Sequence, residues 1–189
     1  MKNTIDETRQ LNLYEEYIAN LNKPLEIKIK YHTNDIPKIT KISKGNWIDL
    51  YAAENVFIER YNYKLISLGI SVQLPNGYEA HVLPRSSTFK TWGIIMTNNM
   101  GIIDESYCGE DDIWKFPALS LSNNRIDTEE LYKLTGEDYR TDHVKHGSII
   151  RKGDKICQFR IMESQNVYIT EVDHLYNPSR GGFGSTGKN

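Results

Sequence analysis

The feature that most constrains this chain is a single change of hydrophobic period, at Pro24. Before it, Leu11, Tyr14, Ile18 and Leu21 recur at helical spacing with charged residues between them. This predicts an amphipathic helix over 4–22, capped at Thr4 or Asp6 and stopped by Pro24. After it, the period drops to two. LEIKIKY (25–31), KLISLGISVQL (64–74) and YEAHVL (78–83) alternate apolar and polar residues, and GIIDESY (101–107) and FPALSLS (116–122) continue the series. Asn76-Gly77, between two of these runs, reads as a tight hairpin turn. Many short strands with turn signals between them predict an all-β barrel or sandwich. A chain of 189 residues is long enough to bury its own core, and one decorated domain is the expectation.

Residues 124–146 interrupt the pattern. Asp127 with Glu130 resembles a capping box, Leu131 and Leu134 give a small apolar face, and Gly136 is a natural stop. This predicts a short helical insert at the surface, with His143 and His146 solvated. Strand character returns in DKICQFRIM (154–162) and NVYITEV (166–172). The stretch NPSRGGFGSTGKN (177–189) has no apolar periodicity, and glycine-rich composition alone describes a flexible end. The expected division is a helical extension over 1–23, a β domain over 24–176 that carries the insert, and a glycine-rich arm over 177–189.

Charge and composition exclude several functions. The net charge is −2, and no dense Lys/Arg run marks a nucleic-acid surface. No apolar stretch is long enough for a membrane helix, and MKNTIDETRQ lacks the apolar core of a signal peptide. Cys108 and Cys157 form neither a metal spacing nor a bridge framework, so a reduced, cytoplasmic protein is expected. His32, His81, His143, His146 and His174 are scattered, with no carboxylate at metal-ligand spacing.

Four segments carry groups suited to chemistry. LPRSSTF (83–89) sets Arg85 before Ser86, Ser87 and Thr88, which is either a phosphate cradle or a polar turn. In GIIDESYCGE (101–110), Asp104 follows two β-branched residues. It is either a functional carboxylate on a buried strand or a turn residue that ends one. WIDL (47–50) leaves Asp49 equally open. In GDKICQF (153–159), Gly153-Asp154 reads as a hairpin turn into a strand. On a regular strand, Gln158 shares a face with Ile156, turned inward or toward solvent.

Taken in order, WIDLYAAE, PRSST, TNNMGIIDESYCGE, GDKICQFRI and GGFGSTG resemble the five motifs of the homotrimeric dUTPases, nearest the phage and Gram-positive branch. The resemblance covers about residues 25–123 and 147–187. It implies a jelly-roll-like β-barrel subunit, to which this chain adds the N-terminal helix and the insert. It also implies a trimer with active sites at subunit junctions, and magnesium-assisted hydrolysis of dUTP to dUMP and pyrophosphate.

Matched residue by residue, the resemblance makes Asp104 the carboxylate that orients and deprotonates the attacking water, and Gln158 the amide that helps hold it. Ser86 matches the donor to the bridging α,β oxygen, where leaving-group charge develops. Arg85 and Ser87 match groups that meet phosphates or brace the site. Asp49 matches an aspartate on the magnesium side that acts through water. No direct protein ligand to Mg2+ is implied, since that ion is held mainly by the triphosphate and water. Residues 98–107 match the uracil hairpin. Asn98 and backbone groups from Gly101 to Ile103 would read the base, and Tyr107 would pack under the deoxyribose and exclude a 2′-hydroxyl. In the arm, Phe183 would stack on uracil, while Arg180, Gly184, Ser185 and Thr186 would meet the β- and γ-phosphates.

The chain departs from the commoner family spelling in three places. Asn46 and Trp47 replace an Ala-Gly pair, Ser87 replaces a glycine, and Arg180 directly abuts Gly181-Gly182. Two rival functions remain at this point. One is a dCTP deaminase-like enzyme of the same fold, which would need a glutamate that FPALSLSN (116–123) lacks. The other is a phage regulatory module that binds nucleotide and a repressor. Some staphylococcal phage dUTPases carry an insert at this position and bind a repressor through it, so 124–146 is also a candidate partner surface.

Overall fold

The structure, a computed structural model, describes residues 3–21, 23–139, 144–179 and 181. In chain order the elements are α1 (Asn3–Leu21), β1 (Lys28–Tyr31), β2 (Ile48–Tyr51), β3 (Val56–Glu59), β4 (Tyr63–Ser67), β5 (Ile70–Gln73), β6 (Tyr78–Pro84), α2 (Thr88–Trp92), β7 (Ile94–Met96) and β8 (Gly101–Ile103). Then follow β9 (Lys115–Ser120), β10 (Arg125–Asp127), α3 (Thr128–Thr135), β11 (Val144–Ile150) and β12 (Lys155–Glu163). The described strands pair antiparallel, in the orders β1-β5, β10-β11-β3, β2-β12-β6-β8 and β4-β9-β7. The expected all-β body with an added N-terminal helix is what forms.

The strands close on one apolar core. Leu50, Ile66, Ile70, Val82, Trp114, Phe116 and Phe159 are almost wholly buried. Trp114 meets Phe159 edge to face, with ring centroids 5.4 Å apart. The run 64–74 is not one strand. Gly69, at φ 65°, breaks it into β4 and β5, and a Cβ there would lie 2.7 Å from that of Ala53.

Two expected hairpins are turns between sheets instead. Asn76-Gly77 joins β5, which pairs with β1, to β6, which pairs with β12 and β8. Gly153-Asp154 joins β11 to β12, again in different sheets. There the Asp154 carboxylate accepts from Arg151 N at 2.8 Å, and Gly153 N donates to Ala52 O at 2.8 Å. In a two-layer body the chain must cross between sheets, and turn residues mark the corner without saying what the next strand pairs with.

The 124–146 excursion is built into the body rather than laid on it. Asp127 caps α3 by accepting from Glu129 N at 2.8 Å, and Gly136 ends the helix at φ 73°. Leu131, fully buried, packs with Phe57 and Ile126 in a second small core, and β10 completes the edge of the β10-β11-β3 sheet. His146 is exposed as expected, while His143 lies outside the described residues.

The strand expected over 166–172 does not form. Val167, Tyr168 and Ile169 are 68, 91 and 86% exposed and join no described ladder. The β-branched and aromatic composition is present, but no described residue covers it. The described apolar side chains of α1, among them Leu11, Leu13, Tyr14 and Tyr17, are also exposed.

Candidate active site

The β2-β12-β6-β8 sheet turns one face to the core and the other outward. Register sets Gln158 of β12 opposite Asp49 of β2 and Leu83 of β6, so these side chains share the outer face. The core face carries Phe159 and Val82. A β-bulge in β12 between Lys155 and Cys157 makes this possible. It buries both Ile156 and Cys157 and re-aims the following residues, so Gln158 does not share a face with Ile156. The Gln158 amide is half-buried, with Nε2 in a long contact of 3.5 Å to Pro84 O. Burial in apolar surroundings pushes the Cys157 thiol far above its usual range, so it is an inert core group.

Asp49 organises this end of the sheet. Its Oδ1 accepts from Arg85 Nε at 2.9 Å, and its Oδ2 pairs with Lys155 Nζ at 3.1 Å. Arg85 Nη1 also donates to Lys155 O at 3.3 Å. The guanidinium is thus fixed at one edge, with its other donors left for an anion. Beyond it, Ser86 is exposed at the apex of a turn, and Ser87 is the N-cap residue of α2, whose hydroxyl makes no capping bond. Under the turn, Thr88 is fully buried. Its Oγ1 accepts from Arg85 N at 2.9 Å and donates to Ile156 O at 2.8 Å.

Asp104 ends β8 at the other end of the sheet. Of the two readings open to it, the structure selects the turn residue: the carboxylate is exposed, not buried. Its Oδ1 accepts from Ser106 N at 2.8 Å and Ser106 Oγ at 2.5 Å. The Ser106 hydroxyl, then its backbone N–H, hold the carboxyl below the usual carboxylate range. Both Ser106 bonds fall on the same oxygen, and the Tyr107 backbone N–H adds a smaller lowering influence.

Residues 98–107 do not fold back on themselves as a hairpin; among the described residues β8 pairs only with β6. The segment is a turn at Asn98-Asn99, with Asn99 at φ 59°, then β8, then the turn held by Asp104. Since β8 is an edge strand, alternate backbone groups from Gly101 to Ile103 face away from β6. Asn98 and Tyr107 are exposed.

The structure therefore unites Asp49, Arg85, Ser86, Ser87 and Gln158, and holds Asp104 apart. Ile103 lies opposite Ala80, which sets Asp104 level with Glu79, while Gln158 lies opposite Leu83. Four residues along the sheet and two strands across it amount to roughly 16 Å between their Cα atoms, and Arg85 is farther still. Arg180, Phe183, Gly184, Ser185 and Thr186 lie outside the described residues. Lys155, and the bracing part that buried Thr88 plays under the turn, are contributions that sequence pattern gives no reason to single out. Only register and burial reveal them.

Comparison with known proteins gives the family of the chain. The sequence profile of a family described as dUTPase matches residues 36–120, the span from before Asp49 to beyond Asp104. The chain is 47% identical over 164 residues to the SPbeta prophage-derived deoxyuridine 5'-triphosphate nucleotidohydrolase YosS of Bacillus subtilis, covering 86% of this chain and 99% of that one. A deoxyuridine 5'-triphosphate nucleotidohydrolase of Finegoldia magna is 32% identical over 84% of this chain and 96% of its own. In fold, a mutant dUTPase of Staphylococcus bacteriophage 80alpha with dUpNHpp superposes with a TM-score of 0.67 at 18% identity, covering 86% of this chain and 98% of that one. A mutant dUTPase from phage phi11 of S. aureus, whose structure describes a structural Mg(II) ion, gives 0.62 at 17% identity, over 79% and 98%. With separate motifs converging on one sheet face and near-complete coverage of a relative at this identity, the chain belongs to the dUTPase family.

Proposed function

We propose that this chain hydrolyses dUTP to dUMP and pyrophosphate by attack of water at the α-phosphorus. We further propose that it does so as a homotrimer with shared sites, in the cytoplasm of a bacterial or phage-infected cell. The observation that carries the reading is the meeting of Asp49, Arg85 and Gln158, from three separate sequence motifs, on one outward sheet face of a chain 47% identical to a dUTP nucleotidohydrolase.

In this reading the free edge of Arg85 and the hydroxyls of Ser86 and Ser87 receive the phosphates. Ser86 donates to the bridging oxygen as charge develops there, so it acts more on the transition state than on bound substrate. Asp104 is ionised at neutral pH, and its exposed carboxylate orients the attacking water and takes its proton. An ordinary carboxylate is a weak base, so positioning supplies much of the rate. Gln158 helps hold the same water. Asn98 and the open edge of Gly101–Ile103 read uracil, and Tyr107 lies under the sugar. Cytosine would set donor against donor there, a mismatch worth about 10⁴-fold in discrimination. Residues 24–176 form the catalytic body in this division, and the 177–189 arm, with Arg180, Phe183, Gly184, Ser185 and Thr186, closes over base and phosphates.

Two observations support shared sites. A water bonded to both Asp104 and Gln158 cannot span roughly 16 Å, so a second copy must bring its Asp104 to this face. The exposed apolar residues Val167, Tyr168 and Ile169, in a segment with strand-like composition, also pair with no strand among the described residues.

Magnesium is the implied cofactor, and the residues fit it. Among the described residues no cluster of three His, Cys, Asp or Glu side chains could cage a metal. The ion would be carried on the triphosphate and completed by water, and would neutralise phosphate charge. Asp49 would accept from an ion-bound water. The outer face of α3, where Thr128, Glu129, Tyr132 and Lys133 line a depression of about 340 Å³, is the part of the 124–146 excursion proposed for a repressor-type partner.

Pyrophosphate release from dUTP, dCTP and UTP tests the proposal. Turnover of dUTP alone is expected. Ammonia release from dCTP, measured alongside, or tight dUTP binding without turnover, would overturn it in favour of a deaminase or a regulatory module.

A further inference from the structure

We infer that Thr88 is a positioning residue for the reaction, a role that rests on the reading of Ser86 and Arg85 as the phosphate-facing groups. Thr88 touches no phosphate in this reading, because its side chain is fully buried. What it does is close the turn that presents them. Thr88 N donates to Arg85 O at 3.0 Å, and Thr88 Oγ1 accepts from Arg85 N at 2.9 Å. Both backbone groups of Arg85 are thereby held by one residue, and Ser86 and Ser87 are the only two residues between them.

The same hydroxyl spends its proton on Ile156 O at 2.8 Å. Ile156 is the extra residue of the β12 bulge, falling between the Lys155–Tyr51 and Cys157–Leu50 pairs. A bulge leaves its residue out of the ladder, and a buried carbonyl there needs another donor. Thr88 supplies it. One oxygen thus ties the phosphate turn to the strand that carries Gln158 two residues on. The β-branched side chain leaves its χ1 little freedom, so the link is stiff.

Loosening this tie would let Ser86 drift from the bridging oxygen without removing any group that binds substrate. A misplacement of about 1 Å can reduce turnover by about 10²-fold. The loss should fall on kcat rather than KM, because the affected contact strengthens in the transition state.

The test compares Thr88→Val, which keeps the shape and removes the hydroxyl, with Thr88→Ser, which keeps the hydroxyl. Each is assayed with dUTP well below its own Tm, with Ser86→Ala alongside. The inference predicts that Thr88→Val lowers kcat at least tenfold with KM within about threefold, and that Thr88→Ser restores kcat to within about threefold of the parent. A merely structural threonine would lower Tm and leave kcat alone. A Thr88→Val variant within twofold of the parent kcat, or a Thr88→Ser variant as slow as Thr88→Val, overturns the inference while Ser86→Ala remains slow. An unimpaired Ser86→Ala instead removes the reading of Ser86, and this role with it. Should Thr88→Val fail to fold, amide exchange in the parent decides. The Arg85 N–H should exchange far more slowly than that of neighbouring Ser86, and equal rates would overturn the tie.

Discussion

If no single chain holds a complete site, two dead variants should revive each other. Asp104→Asn removes the carboxylate that would activate water, and Arg85→Ala removes a phosphate contact at the other end of the β2-β12-β6-β8 sheet. Asp104 is level with Glu79, and Arg85 follows Pro84 at the end of the same strand. Six residue steps along β6 separate them, roughly 20 Å, and the intervening strand is fixed by ladders on both sides. No side-chain motion closes that gap. In a ring of three chains, each site then takes Arg85 from one subunit and Asp104 from another. Mixed randomly in equal amounts, half of the chains keep each group, so roughly one quarter of the sites keep both. The assay is pyrophosphate release from dUTP after the two variants are unfolded together and refolded. Recovery to about a quarter of the parent rate is expected, from two preparations that are each nearly silent. A mixture no more active than its components would show that each site is built within one chain, and would refute the register argument.

Two further predictions probe other links. Because Ser106 lowers the Asp104 carboxyl below the usual carboxylate range, the base is already ionised throughout neutral pH, and activity is lost only as pH falls through that lowered value. Ser106→Ala should move the Asp104 titration upward, seen in its ¹³C carboxyl resonance, with little effect of protonation at pH 8; an unmoved midpoint would contradict the assignment. Leu131→Ala should cost about 3 kcal/mol in urea unfolding, since Leu131 is fully buried against Phe57 and Ile126, and should leave turnover of the folded protein unchanged. A loss under about 1 kcal/mol would mean that the 124–146 excursion is surface decoration after all.

What could be read from the sequence follows from what local pattern encodes. Alternation located β1 and β6, because half-buried strands present one face to a core. It passed over β3, whose Val56, Phe57 and Ile58 are all buried and so do not alternate, and over α2, which is only five residues long. Asn76-Gly77 and Gly153-Asp154 announced turns correctly, but pairing is decided by distant strands. The 166–172 segment has a strand's composition with no partner among the described residues. The five motifs named the site residues through resemblance, and the structure explains some of their placement. Asp49 and Gln158 meet through register, and the β12 bulge, which no local pattern foretells, is what turns Gln158 outward. Lys155 and the bracing role of Thr88, which the sequence offered only as one more hydroxyl of the cradle, were invisible for the same reason. Their parts depend on Asp49 and Ile156, residues far from Thr88 or Lys155 in sequence or displaced by the bulge.

The most direct test of the central claim is single-turnover hydrolysis of dUTP by Asp104→Asn, with dUTP affinity measured on the same preparation. The amide keeps the shape of the side chain but cannot accept a proton from water. Loss of nearly all turnover with affinity close to the parent's is predicted. A variant that hydrolyses dUTP at the parent rate would contradict the assignment of Asp104 as the water-activating group.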